Sequence, residues 1–415
     1  MPDWSTLSEE LKKLGVRLGA QELQSSQKKQ SQPIESLVSG HEIETIYGHV
    51  FSANRTYSLD HRHGKIPIQP FSTKNVLCQW AQASSLAEED ISAFVFLDTE
   101  TTGLSGGTGT LAFMIGAARV VGSKLQVEQF FLRNPAEEKA QLAALASFVD
   151  GARAIVSYNG KSFDLPLINT RYILNRIKNP FLEFEHFDLL HIARRVWRRR
   201  LKQCNLGNIE KEILGFNRSG VDIPGYLVPE FYRDYLLRGD ASQIQGIFYH
   251  NEIDLLSLLA LFNVLAEILE NPSLEHLPHA QDRLSVGQLM EDLKKNNLAA
   301  EMYANDPDDF TDQEEKILTL MLQAGLHKRN GNFDEVIPLW KKALGLGSIE
   351  AGIQLAMFCE HKLKDIPQAI HYTQSSRLLV GRITVKYSKE KYLQEINHRL
   401  NRLSGKLYDG DHHGN

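Results

Sequence analysis

Apolar residues recur along this chain with two different periods, and the change from one to the other divides it. Near the start, Trp4, Leu7, Leu11 and Leu14 are spaced for one face of a short helix, and the polar, aperiodic run SSQKKQSQP after them reads as a linker. From Glu44 to Pro70 the pattern is β-rich, with HGKIPIQP as turn and edge material. His61 and His63 fall in that stretch and, as two isolated loop histidines, read as solvated residues and not as a metal pair. An α/β rhythm follows. AFVFLDTE is a buried strand running into polar residues, and TLAFMIGAARVV and KLQVEQFFL are two more strands, joined by Gly122-Ser123 in a tight hairpin. Glu137 to Phe148 is predicted helical and ARAIVSYN a strand. Ser162 would cap a helix with Pro166 in its first turn, running to about Arg176, and FEHFDLL begins the last strand-like element. Three strands in hairpin order, then strand–helix–strand, predict a mixed sheet with helices packed on it.

After about Pro272 the pattern is helical throughout. GNFDEVIPLW aligns with KDIPQAIHYT at a shift of 33 residues, and the same shift carries Leu322 onto Leu355. That period suits helix-hairpin repeats of the tetratricopeptide kind, whose stacked pairs can offer a grooved surface to a protein partner or simply cover a sheet. The tail YDGDHHGN reads as disordered, with His412 and His413 as tail residues.

Composition narrows the class. The 42% hydrophobic and 23% charged content of the 415 residues is that of a globular protein with two or three domains. The net charge of -5 would repel phosphate, so contact with nucleic acid must come from a local basic patch. Three scattered cysteines form no CxxC pair, which argues against a structural zinc site and fits a reducing compartment. The charged N-terminus lacks a signal-peptide core. The longest apolar stretch, Ile253 to Leu269, is interrupted by Asp254, Ser257, Asn263 and Glu267 and reads as a buried helix and not as a membrane span. A soluble, cytoplasmic protein is expected.

Candidate chemistry lies in the acids. Asp98 and Glu100, two apart at a strand end, share one face. Alone they would read as solvated acids leaving a sheet. Asp164 in YNGKSFDLP sits just past the next buried strand, and Asp254 in YHNEIDLLSLLALF opens an apolar helix with His250 one turn earlier on the same face. Four carboxylates at one sheet edge would repel one another unless a cation lay between them. Mg²⁺ or Mn²⁺ prefers such oxygen ligands, and a pair of them can serve the attacking and leaving oxygens of a phosphoryl displacement. A neighbouring histidine can accept the water's proton near neutral pH.

The order Asp98-x-Glu100, Asp164, then His250 before Asp254 resembles the DEDD superfamily of 3′–5′ exonucleases, which have a ribonuclease H-like fold. The resemblance implies that Asp98, Glu100, Asp164 and Asp254 hold two divalent ions, Mg²⁺ or Mn²⁺, and that His250 is the general base. It also implies that Thr101, Thr102, Gly103 and Leu104 receive the 3′-terminal nucleotide. A closer resemblance, from Asp98 to about Leu261, is to the bacterial YprB-like group of ribonuclease H-like domain proteins, through FDLLHIARRVWRRRL, LGNIEKEILGF, DIPGYLVPEFYRDYL and HNEIDLLSL. In histidine-type members of the superfamily the histidine lies five residues before the last aspartate. His250 lies four before Asp254, and Tyr249 holds the five-residue position, so His250 is favoured as the base, with Tyr249 or neither as the alternatives. Asn159 could be a substrate contact or a turn residue that tolerates positive φ, and Asp188 a supporting acid.

The expected organisation is an N-terminal helix and flexible linker (1–38) and a β-rich extension (39–88). An α/β, ribonuclease H-like mixed-sheet domain (89–271), an all-α repeat domain (272–405) and a disordered tail (406–415) follow. The expected activity is metal-dependent 3′–5′ exonucleolysis of DNA or RNA at a single-stranded or 3′ end, with no membrane partner. The alternatives are a structure-selective endonuclease on the same site or a non-catalytic nucleic-acid or protein scaffold. In ARRVWRRRLK, Ala193, Val196, Trp197 and Leu201 form one helical stripe. Arg194, Arg195, Arg198, Arg199 and Lys202 face elsewhere, as a solvated face or a track for phosphates.

Overall fold

Alternation in FVFLDTET builds the strand at which the antiparallel and parallel parts of the sheet meet. In a computed structural model, which describes residues 32–70, 73–103, 109–219, 222–304, 306–381 and 386–411, it spans Phe94–Thr101. The sheet's strands are β1 (His41–Thr45), β2 (Gly48–Ser58), β3 (Phe94–Thr101), β4 (Ala112–Val121), β5 (Lys124–Phe131), β6 (Ala154–Ser157) and β7 (Glu185–Asp188). Their spatial order is β1-β2-β5-β4-β3-β6-β7. β3, β6 and β7 run parallel and the other pairs antiparallel, so the sheet is mixed, as the element order requires. β4 and β5 turn through Gly122 (φ +59°) and Ser123, the two-residue hairpin expected from the sequence. The β-rich extension supplies two of the seven strands: β2 pairs with β5 from Phe51↔Phe131 to Ser58↔Lys124 and widens the same sheet.

Helices α1 (Glu138–Phe148) and α2 (Asp164–Asn175) cover one face, where Val95, Leu97, Ile115 and Phe130 pack with Leu142, Leu145, Ile168 and Tyr172. Ser162 does not cap α2; Phe163 holds the cap position without a side-chain bond, and Asp164 opens the helix. β7 leads directly into α3 (Leu189–Trp197) in the chain. The other face of the sheet packs Phe51, Phe113 and Phe131 against Tyr232 of α4 (Val228–Arg238) and against Ile244, Ile247 and Phe248 of α5 (Ile244–Glu270). The apolar run read as a buried core helix is the body of α5, and Asp254 lies in its third turn, not at its start.

The chain separates into two compact units that interleave in sequence. Among the described residues, one comprises those of 32–70, 90–189 and 210–261, the other those of 73–89, 190–209 and 262–411. These divisions do not coincide with the boundaries at 88/89 and 271/272 expected from composition. The second unit contains α6 (Ala280–Asp292), α7 (Asn296–Tyr303), α8 (Gln313–Arg329), α9 (Phe333–Gly345), α10 (Ile349–Phe358), α11 (Ile366–Val380) and α12 (Lys386–Asp411). Leu320 and Ala324 pack on Val336 and Trp340 and on Ala351 and Leu355, so α8, α9 and α10 share one core. The repeat register has a backbone counterpart: Gly331 and its equivalent Lys364 both adopt left-handed φ, at +76° and +59°. The last helix runs to Asp411, so a disordered tail from residue 406 is not what the structure shows. Leu403 is buried with Cys359 and Ala369, and Lys406 donates to the buried Glu360 at 2.8 Å, which fixes that turn. The N-terminal amphipathic helix and most of its linker lie outside the described residues. No helix among the described residues is long and apolar enough to cross a membrane.

Lys364 holds a conformation that costs an L-residue about 1–2 kcal/mol and glycine little. Lys364→Gly is therefore expected to stabilise the protein by about 0.5–1 kcal/mol, the direction seen by Gly at αL helix ends. A lower thermal midpoint than that of the parent would contradict this.

Candidate active site

Alternation along β3 places Asp98 and Glu100 on one face and Thr99 on the other. The Thr99 hydroxyl donates to Asp164 Oδ1 in the first turn of α2. Asp254 comes from α5, and one turn before it Asn251 donates to Asp98 Oδ2 at 2.8 Å. Gln129 of β5 fixes that amide, donating to Asn251 Oδ1 at 2.9 Å and to the Phe248 carbonyl at 2.8 Å. The helix can come this close because Gly116, paired opposite Asp98, has no side chain: a Cβ there would lie 2.0 Å from Asn251 Oδ1. Gly160 makes similar room beside Asp164, where a Cβ would stand 2.3 Å from Ser157 Oγ and 3.2 Å from Asp164 Oδ2.

Burial raises the proton affinity of all four acids, and neighbouring carboxylates add to it. Burial lifts Asp98 well above the usual carboxylate range, and repulsion from Asp254, Glu100 and Asp164 adds to it. Burial pushes Glu100 up to about 8 against the pull of His250, with Asp254 and Asp164 raising it. Asp164 is pushed up to about 6 by burial, opposed by its hydrogen bond from Thr99. Asp254 is also raised by burial, while His250 and Arg218 pull it back. Among the described residues, no three His, Cys, Asp or Glu side chains already form a coordination shell. The fit to a divalent cation therefore rests on the donor set: four carboxylates, Glu100 buried and the other three half-buried, are the oxygen ligands a hard cation takes.

His250 lies one turn from Asp254 on α5, its Nε2 3.8 Å from Asp254 Oδ2. Its Nδ1 is 2.7 Å from Asp222 Oδ1 and 3.0 Å from Arg218 Nη1. One ring nitrogen cannot donate to the first and accept from the second. Burial disfavours the imidazolium, but Asp254, Glu100 and the Asp222 hydrogen bond outweigh it and raise the pKa, so Nδ1–H donating to Asp222 is the consistent assignment. Arg218 also donates to Asp254 and grips both Glu210 oxygens at 2.7 Å. Ser257 Oγ donates to Glu210 Oε1 at 2.6 Å and lies 2.7 Å from His63 Nε2. His63 is thus not a solvated loop residue. It is buried, stacked on Phe216 with ring centroids 4.0 Å apart, and burial lowers its pKa to about 4. His61 is exposed.

Asn159 takes φ +67°, the conformation of a turn residue, one of the two roles its sequence allows. Its N–H and that of Lys161 donate to the buried Asp188 at 2.7 and 3.1 Å, so Asp188 anchors the turn that leads to Asp164. The Thr101 hydroxyl donates to the Gly103 carbonyl at 2.8 Å, and the Thr102 hydroxyl accepts from Leu111 N–H at 3.0 Å. Leu104 lies outside the described residues. The Tyr249 hydroxyl accepts a 3.3 Å hydrogen bond from Ser219 N–H. The structure brings together Asp98, Glu100, Asp164, Asp254 and His250, and adds Asn251, Arg218, Asp222 and Glu210, which sequence reasoning missed. Helical phase could have found Asn251, three residues before Asp254. Arg218 and Asp222 sit in an aperiodic loop that carries no such signal.

Residues 95–266 match the family model RNase_H_2, described as RNase_H superfamily. Over 361 residues the chain is 33% identical to the uncharacterized protein YprB of Bacillus subtilis (strain 168), covering 84% of each chain. The chain belongs to the YprB family of the RNase H superfamily. The fold is accordingly a ribonuclease H-like mixed sheet with flanking helices, followed by a helical region. The acids of this RNase H-like domain stand on β3, α2 and α5, all inside the matched segment.

In the folded YprB-family domain, Glu100 and Asp164 keep protons up to about pH 8 and 6, whereas unfolded they release them near 4.5 and 3.8. The stability this brings is present below the unfolded values and is lost as pH rises through the folded ones. In EDTA the melting temperature should therefore fall from pH 5 towards about pH 8. Glu100→Gln should flatten the upper part of that fall, gaining on the parent as pH rises; a parallel pair of curves would refute the assignment. Gly116→Ala must displace Asn251 and should cost about 1–3 kcal/mol, as overpacking does; denaturant titration would show it.

Proposed function

We propose that this protein is a metal-dependent nuclease of the 3′–5′ exonuclease type. The observation that carries the reading is the gathering of Asp98, Glu100, Asp164 and Asp254 from three separate elements, with His250 one turn from Asp254. Membership of the RNase H superfamily supports a nuclease and a divalent-metal requirement. The resemblance to DEDD exonucleases supports the direction of attack.

In this reading the four carboxylates would hold two ions, Mg²⁺ or Mn²⁺. When bound, these would supply positive charge to the attacking and leaving oxygens of an in-line displacement at phosphorus. The chain's own groups do the rest. Asp222 fixes the His250 ring through Nδ1, which leaves Nε2 as the atom that takes the proton of the attacking water. Asn251 and Thr99 hold Asp98 and Asp164 in place by neutral hydrogen bonds. Thr101, Thr102 and Gly103, at the end of β3 and just beyond it, with Leu104 after them, would meet the terminal nucleotide, and Asn159 would shape the turn beside Asp164. Tyr249, its hydroxyl engaged by Ser219, is the weaker choice of base. Attack on the last phosphodiester releases a nucleoside 5′-monophosphate.

End-labelled single- and double-stranded DNA and RNA, incubated with Mg²⁺ or Mn²⁺, should shorten from the 3′ end to mononucleotides. EDTA or Asp98→Ala should reduce cleavage to background, and His250→Ala should lower kcat more than it raises KM. Discrete internal fragments would favour an endonuclease. Equal cleavage by the Asp98→Ala protein would overturn the metal site, and absence of cleavage together with absence of Mn²⁺ binding by calorimetry would leave a scaffold.

A further inference from the structure

The helical unit carries a second feature that the acidic site does not use. Helix α3 buries Ile192, Ala193, Val196 and Trp197, and presents Arg194, Arg195, Arg198 and Arg199 on its exposed side, the last two in the turn that follows it. Together with His191 and with Ser285 and Gln288 of α6, these arginines line a groove of about 450 Å³. The facing helix offers hydrogen-bonding groups there, and its acids are engaged. Asp292 pairs with Arg195, Asp282 with Arg200 at 2.8 Å, and Glu291 with Arg329 at 2.7 Å. Arg199 donates to Gln288 at 2.9 Å. Among the described residues the guanidinium groups of Arg194 and Arg198 make no hydrogen bond or ion pair, and the Arg195–Asp292 pair is exposed, so it contributes little and is easily exchanged.

We propose that this groove binds the phosphate backbone of a nucleic acid; the proposal rests on the reading of the protein as a nuclease. Four guanidinium groups in one turn and a half are a large local positive charge on a chain whose net charge is -5, and mutual repulsion makes such a cluster unfavourable without an anion. Arg194 and Arg198, four residues apart, are spaced about 6 Å along the helix axis, comparable to successive phosphates of one strand. Arginine's planar fork matches phosphate oxygens two at a time, which a lysine patch would not do. The groove presents no large exposed apolar side chain of the kind that anchors a protein partner. It offers no base-reading element, so it would grip backbone without regard to sequence.

The test measures binding of a fluorescein-labelled single-stranded oligonucleotide in EDTA across a salt series. The full-length protein is compared with the double variants Arg194→Gln/Arg198→Gln and Arg194→Lys/Arg198→Lys, each first shown to melt at the parent temperature. Loss of two phosphate contacts should make the slope of log K against log salt shallower by about 1.4 and weaken binding roughly 10–30-fold near 0.1 M salt. The lysine variant should keep most of the slope. Hydrolysis of a p-nitrophenyl ester of thymidine 5′-monophosphate, which presents a single phosphate, should be unchanged in all three proteins. Equal affinity and equal slope in the glutamine variant would overturn the proposal. So would competition by polyglutamate as effective as that by unlabelled oligonucleotide, which would point to an acidic protein partner. Salt-dependent binding lost in the glutamine variant, without metal-dependent hydrolysis in any of the proteins, would uphold the groove and sink the nuclease reading.

Discussion

Four carboxylates brought into one partly buried space repel one another, and the local structure of the α/β unit is arranged around that repulsion. Burial raises Asp98, Glu100, Asp164 and Asp254, and the charge of the other acids of the set adds to it at Asp98 and Glu100, so the site favours either protons or a cation. Rigid partners are what keep the acids from moving apart. Asn251, locked by Gln129, holds Asp98; Thr99 holds Asp164; Arg218 holds Asp254. Two glycines, Gly116 and Gly160, give these partners the space they need.

The support extends inward as a continuous polar chain. His63 meets Ser257, Ser257 donates to Glu210, Glu210 is gripped by Arg218, and Arg218 reaches Asp254 and Asp222. Each buried polar group in that chain has a partner, as the cost of burying an unpaired one requires. The chain links the N-terminal extension to α5, which gives the small hairpin at residues 62–67 a structural reason that its sequence does not announce. His250 takes its orientation from the same loop, through Asp222.

The helical unit follows a different logic. Its cores are local: α8 with α9 and α10, then Ile353 with Val380 and Ile396, then Cys359 with Ala369 and Leu403. Neighbour-to-neighbour packing is what a 33-residue period predicts. Gly331 and Lys364, 33 residues apart, both take left-handed φ.

Sequence by itself determined the elements and the acidic set. Periods of two and of three to four gave the strands, the Gly122-Ser123 hairpin, α1, α5 and the stacked helices, because alternation and helical phase are local properties of the chain. Asp98, Glu100 and Asp164 could be placed because they sit at a strand end and in the first turn of a helix, and the i, i+4 spacing alone tied His250 to Asp254. Tertiary structure alone decided what surrounds them. His63 read as a loop residue but is buried, Asp254 proved to lie well inside its helix, and the helix at the end of the chain runs on because Glu360 draws Lys406 to it. Arg218, Asp222, Glu210 and Gln129 acquire their roles from partners tens to more than a hundred residues away. Periodicity carries no information about pairing at that range; only the folded packing of the sheet, α5 and the loop before α4 brings those groups within hydrogen-bonding distance.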